Sequence, residues 1–148
     1  MKRLLILLTA IAIVVLLSAF LLSESKAPEY TIELGGTQIV VEIADTQQAR
    51  ERGLSGRPEL GEGKGLFLIF DEPGIYRIWM KDMLFPLDII WINADGQIIS
   101  MKEYAEPCTS ECSTYAPESA AKYAVEVDAG FCDSHELKEG DSALLSLP

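Results

Sequence analysis

Apolar residues along this chain follow two periods and one unbroken run. The run is at the start. Residues 4–22 carry no charge, and only Thr9 and Ser18 interrupt their apolar character. As a helix they would reach roughly 28 Å, close to the hydrocarbon thickness of a bilayer. A run with no polar face is not that of a surface helix. Beyond residue 29 the pattern alternates. Residues 30–34 and 38–43 switch between apolar and polar around Gly35-Gly36, which predicts a β-hairpin with Ile39, Val41 and Ile43 on one face. Asp45 with Gln48 three residues on resembles a capping box, and Gly53 can stop a helix, so one short helix is predicted over residues 46–52.

Strand signals fill the rest. Residues 66–70 form an apolar run before the turn cluster Asp71-Glu72-Pro73-Gly74, and residues 75–81 follow. Residues 87–92 are apolar on both faces apart from Asp88, which predicts an inner strand. Asn93-Ala94-Asp95-Gly96 is a hairpin turn into residues 97–104. Residues 123–127 alternate again, and residues 143–147 close the chain. About seven or eight short strands at hairpin spacing predict a mostly β, single-domain antiparallel sandwich or barrel-like fold. No helix long enough for a parallel α/β arrangement is visible.

The leader changes how composition is read. The 148 residues carry 12 Lys+Arg and 23 Asp+Glu, a formal charge of -11. Lys2 and Arg3 precede the apolar run and should stay in the cytoplasm, leaving residues 27–148 outside. Residues 1–26 are then a membrane anchor spanning the cytoplasmic membrane through residues 4–22. The run exceeds a signal peptide's usual core, and Ser23-Glu24-Ser25 is a poor cleavage site, but a cleaved signal remains the alternative. Without Glu24, Lys2, Arg3 and Lys26, residues 27–148 hold 22 acidic and 9 basic side chains, a charge of -13. That balance argues against a nucleic-acid partner.

Three stretches stand out in order. They are Arg52-Gly53-Leu54-Ser55-Gly56-Arg57, then Trp79-Met80-Lys81-Asp82-Met83-Leu84-Phe85-Pro86-Leu87-Asp88, then Gly140-Asp141. With Gly65-Leu66-Phe67, Asp95-Gly96 and Tyr123-Ala124-Val125-Glu126-Val127, they resemble the DUF192 (UPF0127) family from about residue 41 to 145. The resemblance implies a compact, mostly β domain, often secreted or anchored in prokaryotes, and no particular activity. It breaks at two places. The family pattern has Met where this chain has Ser55, and Asn-Thr where it has Asp82-Met83.

Positive charge is scarce, so Arg52, Arg57 and Lys81, with Trp79, Met80 and Asp88, are the candidate ligand-binding residues. A buried Asp88 needs a partner, and the plain expectation pairs it with Arg57 or Lys81. The competing expectation leaves Arg57 and Lys81 open to a small anionic ligand, or to an envelope protein, with Trp79 as a wall. A hydrolase using Asp88 and Glu126 near Lys81 is a third reading, and a ligand-free structural envelope protein a fourth. The cysteines and the single histidine form Cys108-x3-Cys112-x19-Cys132-x2-His135. In an oxidising compartment a Cys108–Cys112 disulfide is favoured, and a Cys3His zinc site is the alternative. No phosphate loop, nucleophile elbow or cofactor motif is present.

Overall fold

The computed structural model describes residues 29–146. The anchor expected at residues 4–22 lies outside them, and no helix among the described residues is long and apolar enough to cross a membrane.

Nine strands are present: β1 Tyr30–Leu34, β2 Thr37–Ala44, β3 Lys64–Gly74, β4 Ile78–Trp79, β5 Leu87–Ile92, β6 Ile98–Ala105, β7 Thr114–Tyr115, β8 Ala121–Asp128 and β9 Ala143–Ser146. Seven of them form one sheet in the order β6-β5-β8-β3-β2-β1-β9, and β4 pairs with β7 in a separate ribbon. A two-sheet sandwich is therefore not what forms. The large sheet curls instead. Its two edges, β6 and β9, meet at a bridge between Gln97 and Ser142. Ile98 N donates to Asp141 O at 2.9 Å and Ala143 N to Gly96 O at 2.8 Å across that seam. The result is a half-barrel, closer to the barrel-like expectation. Gly96 sits in the seam at φ 76, where a Cβ would come within 3.0 Å of the Ala143 carbonyl.

The expectation of a wholly antiparallel fold is corrected at one place. β2 and β3 run parallel, with Val41 opposite Gly65 and Ile43 opposite Phe67. A parallel pair needs a crossover of about a dozen residues or more. Here it contains only the short helix α1, Gln47–Arg52, and the loop to Gly63. α1 is capped by Thr46, whose side chain accepts from Ala49 N, rather than by Asp45. Gly53 ends it at φ 50, and its N–H reaches Ala49 O. A second helix, α2, Phe131–Ser134, was not expected.

Side chains alternate between faces along each strand. One core cluster gathers Leu66, Leu68, Phe70, Leu87, Ile89, Trp91 and Ala124. The other gathers Phe67, Ile90, Ile92, Val125 and Val127, with Ile32, Leu34 and Cys132. The crossover and the ribbon residues Ile78 and Tyr115 pack on the first face. β5 is buried at all six positions, as its unbroken apolar run predicts.

Cys108 and Cys112 form the expected disulfide, with Cα atoms 5.5 Å apart. Cys132 is a buried free thiol whose ionisation burial pushes upward, so it is a poor nucleophile. His135 is exposed, with its ring tilted against Phe131 and the centroids 4.2 Å apart. No cluster suited to a metal occurs among the described residues. Under non-reducing conditions, thiol labelling should find none in the native protein and one per chain after denaturation. Three labelled thiols would dismiss the disulfide.

Candidate functional site

Glu126 occupies a strand position that alternation assigns to the buried side. It stands opposite Leu66 of β3 and Ile89 of β5, so its side chain shares their face. Only 5% of it is exposed. The crossover arches over it, and Gly53 leaves room for the carboxyl. A Cβ on Gly53 would lie 3.7 and 3.9 Å from its two oxygens. Among the described residues no protein group hydrogen-bonds that carboxyl, which lines a concavity. Burial pushes its pKa from 4.5 up to about 7, against the opposing field of Arg57.

Above Glu126 opens a concavity of about 490 Å³. Leu54, Leu68, Phe70, Ile78, Met80, Met83 and Leu87 give it an apolar lining. Tyr76 stacks flat on Phe70, with ring centroids 3.7 Å apart. The half-exposed Trp79 and the exposed Arg52 and Arg77 also line the concavity, with the mostly buried Arg50 beside them. That size and lining fall within the usual range for small-molecule sites.

The residues expected from sequence separate. Arg52, Trp79 and Met80 line the concavity. Arg57 does not, because both of its terminal nitrogens are taken by Glu42, at 2.6 and 2.7 Å. This two-pronged bond holds the Glu42 carboxyl below its ordinary range and raises Arg57. Lys81 is exposed, with its ammonium 5.4 Å over the Trp79 ring.

Asp88 is paired with neither cation, and that expectation is corrected. It lies opposite Val127, so its carboxylate faces the other side of the sheet from Glu126. There it is 0% exposed and accepts from the backbone N–H groups of Tyr104 at 2.9 Å, Gly130 at 3.1 Å and Cys132 at 2.9 Å. Two residues of β6, Glu103 and Tyr104, bulge opposite Asp88, because Leu87 pairs with Ala105 and Ile89 with Lys102. Tyr104 takes φ 48 there. Asp88 thus ties a bulge to the start of α2. A hydrolytic pair made of Asp88 and Glu126 would have the sheet between its members.

Arg50, Arg77, Tyr76 and Gly53 are site residues that sequence reasoning missed. The sequence marks Gly53 as a helix stop and as part of the Arg52–Arg57 stretch, with no sign that it covers a carboxyl. Arg77 had no distinguishing pattern, since residues 75–81 looked like one strand and only Ile78 and Trp79 are.

The DUF192 family model, described as an uncharacterised ACR, matches residues 30–144. The chain belongs to the DUF192 family. A UPF0127 protein of Thermococcus kodakarensis is 30% identical over 105 residues, 68% of this chain. The matched region spans 61% of that relative's length. Two crystal structures share the fold. One, described as a candidate transcription regulator from Sinorhizobium meliloti 1021, has a TM-score of 0.72 at 25% identity, covering 79% of this chain and 92% of that one. The other, a protein of unknown function from Novosphingobium aromaticivorans DSM 12444, has a TM-score of 0.71 at 23% identity, covering 82% and 94%. This fold makes up nearly all of those two chains, which form it without a large additional domain. Within this DUF192 domain, Ser55 and Met83, two of the positions where the family pattern breaks, both line the concavity.

Proposed function

We propose that this DUF192 protein is a non-enzymatic binding module that holds a small, largely apolar molecule in the concavity above Glu126. The observation carrying this reading is a carboxyl only 5% exposed that no protein group hydrogen-bonds, lining an apolar pocket of about 490 Å³. An unpaired buried polar group is costly, and a ligand bearing a hydrogen-bond donor would relieve that cost. The separation of Asp88 from Glu126 weighs against the hydrolase reading, and the concavity weighs against a ligand-free structural role.

The reading places the domain outside the cytoplasmic membrane, with residues 4–22 as its anchor. The charge-free leader after Lys2 and Arg3 supports this, and so does the Cys108–Cys112 disulfide, which suits an oxidising compartment. The Sinorhizobium protein's description raises DNA as a partner, but 22 acidic against 9 basic side chains in residues 27–148 favour none.

The test is native mass spectrometry of the full chain, purified gently from its source, before and after mild denaturation. A reproducible released small molecule is expected, and a Met83→Trp variant, which fills the pocket, should lose it. Release of nothing from the parent, or of the same molecule from Met83→Trp, would overturn the reading.

A further inference from the structure

The mouth of the concavity is charged in the opposite sense to the rest of the domain. Residues 29–146 contain 9 basic and 22 acidic side chains. Three of the basic ones, Arg50, Arg52 and Arg77, line the concavity, against two of the acidic ones, Glu51 and Glu126. One opening therefore gathers cations on a surface otherwise dominated by carboxylates.

The three arginines differ in what they are free to do. Arg50 is engaged by the protein itself. Its Nη1 donates to the carbonyls of Asp45 at 2.7 Å and Ile69 at 2.6 Å, and its Nη2 lies 3.7 Å from the Asp71 carboxylate. Arg52 and Arg77 are not engaged. Among the described residues neither side chain makes a hydrogen bond, a close ion pair or a ring contact, and the Arg52 guanidinium acts on Glu42 only through its field. Each keeps a planar fork of donors beside an apolar wall, where field strength exceeds that in open water.

We infer that the site takes a small organic anion, with its acidic group met by Arg52 and Arg77, a ring-bearing body against Trp79, Met80 and Met83, and a donor facing Glu126. This rests on the binding reading above and adds the charge and polarity of the ligand. A carboxylate, phosphate or sulfonate would satisfy the same two forks. Glu126 supplies the complementary end. A wholly anionic ligand would be repelled from the floor, so an N–H or O–H belongs there.

Two dyes isolate the acidic group. 8-Anilinonaphthalene-1-sulfonate has a ring body, an N–H and a sulfonate, and N-phenyl-1-naphthylamine is the same molecule without the sulfonate. Both are titrated against residues 27–148 by fluorescence and calorimetry, with the Arg52→Gln/Arg77→Gln double variant alongside. The parent is expected to bind the sulfonate about tenfold tighter or more, with the difference shrinking in high salt. The double variant should lose that advantage and keep its affinity for the neutral dye. Competition by 1-naphthoate and by 1-naphthyl phosphate then ranks carboxylate against phosphate. Equal binding of the two dyes by the parent, or an unchanged ratio in the double variant, overturns the anion inference and leaves the binding reading standing. Failure of both dyes to bind counts against the binding reading itself.

Discussion

Asp88→Ala is expected to cost this protein about 4 kcal/mol, the largest loss from any single side chain outside the apolar core. The carboxylate accepts from three backbone N–H groups, of Tyr104, Gly130 and Cys132, at 2.9 to 3.1 Å. Removing it orphans three donors; a buried orphan costs about 1–3 kcal/mol, so the buried Cys132 N–H carries most of the loss and the part-buried N–H groups of Tyr104 and Gly130 add less. It also releases the β6 bulge, where Tyr104 holds a φ of 48 that a bulky residue seldom adopts. For a domain of this size the loss corresponds to about 15 °C in Tm. Asp88→Asn keeps the volume but turns an amide NH2 toward N–H donors, so an intermediate loss of about 2 kcal/mol is expected. Urea denaturation followed by circular dichroism measures both. A loss below about 1 kcal/mol for the alanine variant would show that the three bonds do not hold this end of the sheet.

Asp88 also shows where sequence reading reaches and where it stops. Its isolation within Leu87–Ile92 correctly marked the strand as buried on both faces. The demand for a partner was also correct, but the partner is backbone. Only the fold brings Gly130 and Cys132 to it, 42 and 44 residues away. Likewise, Arg57 could be marked as an informative cation, but its bond to Glu42 spans the crossover and depends on the parallel pairing of β2 with β3. That pairing was hidden because α1 is six residues long, too short for a periodic signal. The antiparallel strands were legible because period-two alternation survives in them. The same alternation, once β5 and β8 are known to be neighbours, puts Asp88 and Glu126 on opposite faces. Adjacency in the sheet was the missing fact, and no single strand's pattern contains it.

Glu126 should make stability fall as pH rises from about 4.5 to about 7, and Glu126→Gln should abolish that fall. The carboxyl titrates near 4.5 in the unfolded chain and at about 7 in the fold, because burial disfavours its charged form. Between those values the folded state holds a proton that the unfolded state has released. The stabilising effect is therefore complete below about pH 4.5, declines up to about pH 7, and is absent above it. Integrated over that window, the decline is about 3 kcal/mol. Glutamine cannot ionise, so its stability curve should lie above the parent's at pH 8.5 by up to that amount and converge with it below about pH 4.5. Taking the difference between the two proteins removes the titration of every carboxyl they share. Arg57→Met supplies an opposite check. The field of Arg57 lowers the Glu126 pKa, so its removal should move the midpoint of the decline to higher pH. Denaturation curves collected from pH 4 to 9 decide the matter. A parent-minus-variant difference that does not change with pH would mean that the carboxyl is solvated in the fold. The floor of the concavity would then lack the unpaired group on which the binding reading depends.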